Sequence, residues 1–181
     1  MINLPLLFFG YLVILFSIVG FGYLSTKLLS VRLSIGELGL SGILFMTILS
    51  YVTNLFVSHD YIHNTIFLII GLFYFFLISK KKFLMKKIKL ILLVSSVLFI
   101  GILMHKTHDD FFYYHFQYTI SLIDFKKIFG VGNLEHGWRT PSSIFYFNSL
   151  FYLPILKKSL INSGAIYFLI FSNIFFIQKI F

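Results

Sequence analysis

Long stretches of apolar residues without charge are the feature that most limits what this chain can become. A helix needs about 20 apolar residues, rising about 1.5 Å each, to cross a hydrocarbon core of about 30 Å. Runs approaching or reaching that length, charged only at Glu37 and Lys89 near the starts of the second and fourth, recur at Leu4–Leu24, Ile35–Val57, Tyr61–Ser79 and Ile88–Met104. A fifth, shorter run covers Ser142–Leu156, and a sixth begins near Leu160 and continues to the C-terminus. Only 12% of the residues are charged, against about 25% in soluble domains. The mean hydropathy of +0.94 agrees. These observations predict an all-α fold: a polytopic transmembrane bundle of about six membrane helices, forming a single helical membrane domain over residues 1–181. The fifth run is short enough to be tilted, broken or re-entrant. The stop at Gln178-Lys179-Ile180-Phe181, inside or just after an apolar run, reads as an incomplete C-terminus.

Charge then orients the runs. The net charge is +9, but the basic residues fall mainly in short connections, which points to membrane topology rather than a nucleic-acid partner. Lys27 and Arg32 lie between runs one and two, Lys80–Lys89 between three and four, and Lys157 and Lys158 between five and six. If every run spans, these connections share one side, which the positive-inside rule makes cytoplasmic. The N-terminus and residues 105–140 then lie outside the plasma (inner) membrane. The lysine cluster reads as a topology anchor beside anionic lipid. Cysteine is absent, which removes disulfides, thiolate catalysis and Cys-bound metals. The N-terminus lacks a basic n-region and a cleavage site, so its first run reads as a retained helix.

The polar stretch at 105–140 is where chemistry is concentrated. It contains all the acidic residues except Glu37 and Asp60, and also the only tryptophan, Trp138. Asp110 to Phe129 has helical periodicity. Asp110, Tyr114, Gln117, Ser121 and Asp124 fall on one stripe, with Phe112, Phe116, Thr119, Ile120 and Ile123 broadly opposite. This predicts an external amphipathic helix lying flat on the membrane surface, with Lys126 and Lys127 near its end and Gly130 stopping it.

Two readings of Asp109 and Asp110 stand side by side. Thr107 followed by Asp110 has capping-box spacing, and acids in a first turn favour the helix dipole. A carboxylate at the membrane–water boundary also suits a general base or metal ligand. No cofactor is fixed by the sequence, and a divalent metal is compatible with the acidic pair. His108 and His115 lie two helical turns apart, without the tight two-His-plus-acid spacing of a zinc site. His136, beside Glu135, is no more specific. Trp138 suits an interfacial anchor or a substrate platform. Arg139 suits a lipid phosphate or a solvated charge.

Together, Asp109-Asp110-Phe111-Phe112-Tyr113-Tyr114-His115, Gly130-Val131-Gly132-Asn133-Leu134-Glu135-His136-Gly137 and Asn148-Ser149-Leu150-Phe151 resemble bacterial polytopic proteins of the GT-C glycosyltransferase type. The similarity covers about Met104 to Pro154 and is greatest to a multi-pass family with a DD…YH…GxGNL…FNS pattern. It implies the N-terminal part of an inverting enzyme that transfers a sugar from a polyprenyl-phosphate donor on the non-cytoplasmic side. It also implies that Asp109 or Asp110 activates the acceptor hydroxyl, with His115, Asn133, His136 and Arg139 contacting the lipid-phosphate substrate. Such enzymes place the acidic loop after their first helix, whereas about four apolar runs precede it here. The competing expectation is a non-catalytic multi-pass protein, either a transporter or flippase component or an assembly subunit.

Overall fold

The computed structural model describes residues 3–80, 82–104, 111–133 and 138–180, with side chains in the fourth helix described from 87 onward. Asp109, Asp110 and His136 therefore lie outside the described residues. Among those described, the fold is helical and contains no strand. Three helices, α1 (Leu4–Leu29), α2 (Ile35–Asn54) and α3 (Tyr61–Ser79), are long and apolar enough to cross a membrane. They are followed by α4 (Lys82–Leu103), α5 (Phe116–Asp124), α6 (Ser143–Ser149) and α7 (Gly164–Ile180).

The helix starts are set by local capping. Asn3 accepts from the backbone of Leu6 at 2.9 Å to begin α1. Ser34 and Glu37 form a reciprocal capping box at α2, and the Asp60 side chain accepts from the backbone of His63 at 2.9 Å at α3. Each side chain satisfies amide groups that a helix start leaves without an internal partner. The two acids outside the polar stretch, Glu37 and Asp60, are thus both helix-start residues.

Small residues let α1, α2 and α3 pack backbone to backbone. A side chain at Gly20 would collide with the Gly71 carbonyl of α3, and one at Gly22 with the Leu38 carbonyl of α2. In lipid, where apolar burial gives no preference for a neighbouring helix, such close approach is what holds helices together. Ser17 Oγ adds a hydrogen bond to the Leu68 carbonyl at 3.3 Å. Helix α4 buries Ile91, Ser95 and Phe99, four residues apart and so on one face. The Tyr11 hydroxyl donates to the Ser95 carbonyl at 3.0 Å. Helix α7 closes the bundle, with Tyr167 stacked on Tyr11 at 5.2 Å and Phe171 seated against Gly39. The outward faces of α2, α3 and α4 remain apolar, as at Leu44, Ile69, Phe73 and Val97.

Three expectations are corrected. The run Ser142–Leu156 does not form a spanning helix. It gives the seven-residue α6 and then an irregular segment up to Ser163. Its apolar residues Phe145, Tyr146, Phe147, Leu150 and Phe151 are buried inside the protein, so its hydropathy reflects a core rather than a bilayer. Lys157 and Lys158 consequently do not join the end that carries Lys27. The Lys158 ammonium lies 5.3 Å over the Phe116 ring, beside α5.

The third correction concerns the amphipathic helix. A π turn at Phe111–His115 precedes α5 and interrupts the single α-helical phase. The buried face is Tyr118, Thr119, Leu122 and Ile123, packed on α6. Phe112 is exposed. The helix ends at Asp124, before the lysines, because Phe125 is extended. Gly130, at φ 79°, opens the 3-10 turn Val131–Asn133 instead of ending the helix.

Candidate functional site

One end of the bundle carries a layer made from the α2–α3 turn, α5, α6 and the segment after α6. Its centre is a set of fully buried polar side chains: Ser50, Asn54, His59, Asn64 and Ser149. Two backbone bonds attach α5 and the residues after it to the α2–α3 turn, His59 N–H to the Leu122 carbonyl at 2.9 Å and Lys127 N–H to the Asn54 carbonyl at 2.7 Å. The Asn64 amide donates to the carbonyls of His59, Ser149 and Tyr152 at 2.7, 2.9 and 3.0 Å. It thereby ties the α2–α3 turn to the end of α6.

His59 and Ser149 have the composition of a nucleophile and its base, but their hydrogen bonds run the other way. The Ser149 hydroxyl donates to the Tyr146 carbonyl at 2.7 Å. Its oxygen therefore accepts from His59 Nδ1 at 2.6 Å, while Nε2 lies 3.2 Å from Thr53 Oγ1, a hydroxyl that also donates to the Ser50 carbonyl at 3.3 Å. Burial, with the neighbouring His63, holds the His59 imidazole down at about 3. A base that weak, facing a serine whose proton is already committed, serves structure.

A second cluster lies beside it. The Lys127 ammonium donates to the hydroxyls of Tyr146 at 2.6 Å and Tyr118 at 3.1 Å, and the two hydroxyls lie 3.2 Å apart. Burial pushes the Tyr146 phenol up to about 12, against the pull of the lysine bond. Burial also raises Tyr118. Both phenols stay protonated near neutrality and act as hydrogen-bonding groups. Trp138 meets Tyr118 edge to face at 5.6 Å.

The sequence-predicted site residues within the described regions are spread over this layer. The His115 ring packs on Tyr114 at 4.3 Å and Phe145 at 5.1 Å. Asn133 is exposed, and its backbone N–H closes the turn to the Gly130 carbonyl at 2.9 Å. Arg139 is exposed, with Nε donating to the Gly132 carbonyl at 3.4 Å. These three side chains share no hydrogen bond or ring contact with one another. Among the described residues no group of three acidic or histidine side chains could hold a metal. Sequence reasoning missed His59, Asn64, Lys127 and Ser149. The available signal was the neutral polar residues Asn54, His59 and Asn64, clustered where two apolar runs meet.

Compared with protein-family models, curated proteins and solved structures, the chain matches none of them.

Proposed function

We propose that this chain serves a GT-C-like integral membrane glycosyltransferase that takes a sugar from a polyprenyl-phosphate donor. Asp109 or Asp110 is the general base. It removes the proton of an acceptor hydroxyl as that oxygen bonds to the anomeric carbon. The carbon–oxygen bond to the lipid phosphate breaks, the phosphate leaves with the electron pair, and the configuration inverts. A hydroxyl is a poor nucleophile at neutral pH, so a carboxylate base lowers the barrier. The departing phosphate needs positive charge or donors nearby, a role for Arg139 and His115 from the protein or for a divalent metal.

The observation that carries this reading is the anchoring of α5 and α6 to one end of the bundle by buried hydrogen bonds. The stretch following the acidic pair is therefore a fixed platform, and catalytic groups need such support. In this reading that platform and the N-terminus face the non-cytoplasmic side. Lys27, Arg32, Lys80–Lys89 and Lys179 face the cytoplasm, in keeping with the positive-inside rule.

The test is sugar transfer in the full-length protein reconstituted in liposomes with a polyprenyl-phosphate sugar. Asp109→Asn and Asp110→Asn are made separately, and one of them should abolish transfer while preserving the fold. Undiminished transfer in both variants would overturn the general-base assignment. The alternative, a non-catalytic transporter or assembly subunit, is favoured by the closed hydrogen bonding of the His59–Ser149 network. It predicts no transfer by the unmodified protein.

A further inference from the structure

The outer side of α5 borders a cleft of about 290 Å³ formed from three separate parts of the chain. Phe116, Gln117, Ser121 and Asp124 come from α5, Trp138 from beyond the 3-10 turn, and Lys158 from the segment after α6. The aromatic walls Phe116 and Trp138 are half-buried, while Gln117, Asp124 and Lys158 are exposed at the rim. The volume falls just short of the range of drug-sized ligand sites, about 300 to 1,000 Å³, which suits a single small ring. The Trp138 indole N–H is buried and has no acceptor among the described residues.

We propose that this cleft, where Trp138 and Phe116 lie beside Gln117, Asp124 and Lys158, binds a single neutral sugar ring. A pyranose has a face of C–H groups that packs on an aromatic ring and an edge of hydroxyls that both donate and accept. The cleft offers the matching set. The Trp138 surface meets the C–H face, the Asp124 carboxylate accepts two or more bonds, the Gln117 amide does both, and the Lys158 ammonium donates. The two formal charges cancel, which selects a neutral polyol over a phosphate. The Lys158 ammonium is held 5.3 Å over the Phe116 ring, which keeps it at the cleft instead of free in solvent.

This inference depends on the glycosyl-transfer reading for its biological role, since it supplies a place for the sugar of the donor or acceptor. Its geometry does not depend on that reading. The lysine at its rim belongs to the pair whose side of the bundle the structure reversed.

Trp138 is the only tryptophan, so its fluorescence, excited at the red edge to exclude tyrosine, reports on the cleft alone. The protein is titrated in nanodiscs with methyl glucoside, methyl galactoside, methyl mannoside and N-acetylglucosamine. Inorganic phosphate and glycerol are titrated in parallel. At least one sugar should produce a saturable change with a dissociation constant on the order of 1 mM. Asp124→Asn and Gln117→Ala, both at exposed positions, should weaken it about tenfold and about threefold, with unchanged circular dichroism. A response to phosphate or glycerol equal to that of the sugars overturns the proposal. So does the absence of any saturable sugar response, or a response that both variants leave intact. Binding that persists in a protein inactive in transfer supports the cleft and counts against the transfer reading alone.

Discussion

His59 Nδ1 lies 2.6 Å from Ser149 Oγ, joining the α2–α3 turn to α6 across 90 positions of sequence. The imidazole is buried and neutral, held down at about 3 by burial with His63 beside it. The unfolded chain takes up a proton there near 6.5, whereas the folded chain resists until far lower pH. The contribution of His59 is therefore complete above 6.5 and lost as pH falls, at about 1.4 kcal/mol per pH unit. Thermal unfolding in detergent across that range should show this slope, and His59→Asn should remove it. An equal slope in both proteins would assign the pH dependence elsewhere.

The glycine contacts make a sharper prediction about packing. Gly71→Leu places a side chain against Ser17 and Phe21, where α1 and α3 meet. It should cost about 1–3 kcal/mol or prevent folding. Gly101→Leu on α4, with nothing among the described residues within 4 Å, should be tolerated. Yield and melting temperature of the two variants give the comparison. Equal losses would mean that the close approach is not what holds the helices.

Lys127 and Tyr146 should be energetically coupled. Lys127→Met removes the ammonium bonded to both phenols but keeps the backbone bond to Asn54. A double-mutant cycle with Tyr146→Phe should return about 0.5–3 kcal/mol of interaction. A value indistinguishable from zero would reduce the cluster to packing.

Placement of Lys157 and Lys158 is open to direct labelling, because the chain has no cysteine. Ser58→Cys and Ser159→Cys should react with an impermeant thiol reagent from the same side of the membrane, and Val31→Cys from the other. Reaction of the Val31 and Ser159 variants from one side would restore the six-span arrangement that the positions of the lysines suggested.

The part of the fold legible in sequence was the part where apolar surface and helical length coincide. The run Tyr61–Ser79 corresponds to α3 without adjustment. Helix α1 extends five residues beyond its expected end, since the Lys27 stem lies along the helix with its ammonium 5.2 Å from the Tyr23 ring. Helix α4 starts earlier than its apolar run, at Lys82. The misread stretch was Ser142–Leu156, because hydropathy does not distinguish burial in lipid from burial against other helices. The polar layer was hidden for a similar reason. Asn64 meets the distant carbonyls of Ser149 and Tyr152, and Ser149 meets the distant His59 ring, pairings that no local spacing announces.

The long reach of the His59 contacts also sets an order of assembly. Asn54 and His59 belong to the α2–α3 turn, but their partners at Leu122 and Ser149 are made much later in synthesis. Until those residues arrive, the turn has only its local bonds, such as Asn54 Nδ2 to the Val57 carbonyl and His59 Nε2 with Thr53 Oγ1, and the groups that later meet Leu122 and Ser149 depend on water. Chains halted after α4 would keep that turn hydrated and the end of the bundle unsealed. The α2–α3 turn is in this sense a receptor whose first ligand is the protein's own downstream chain.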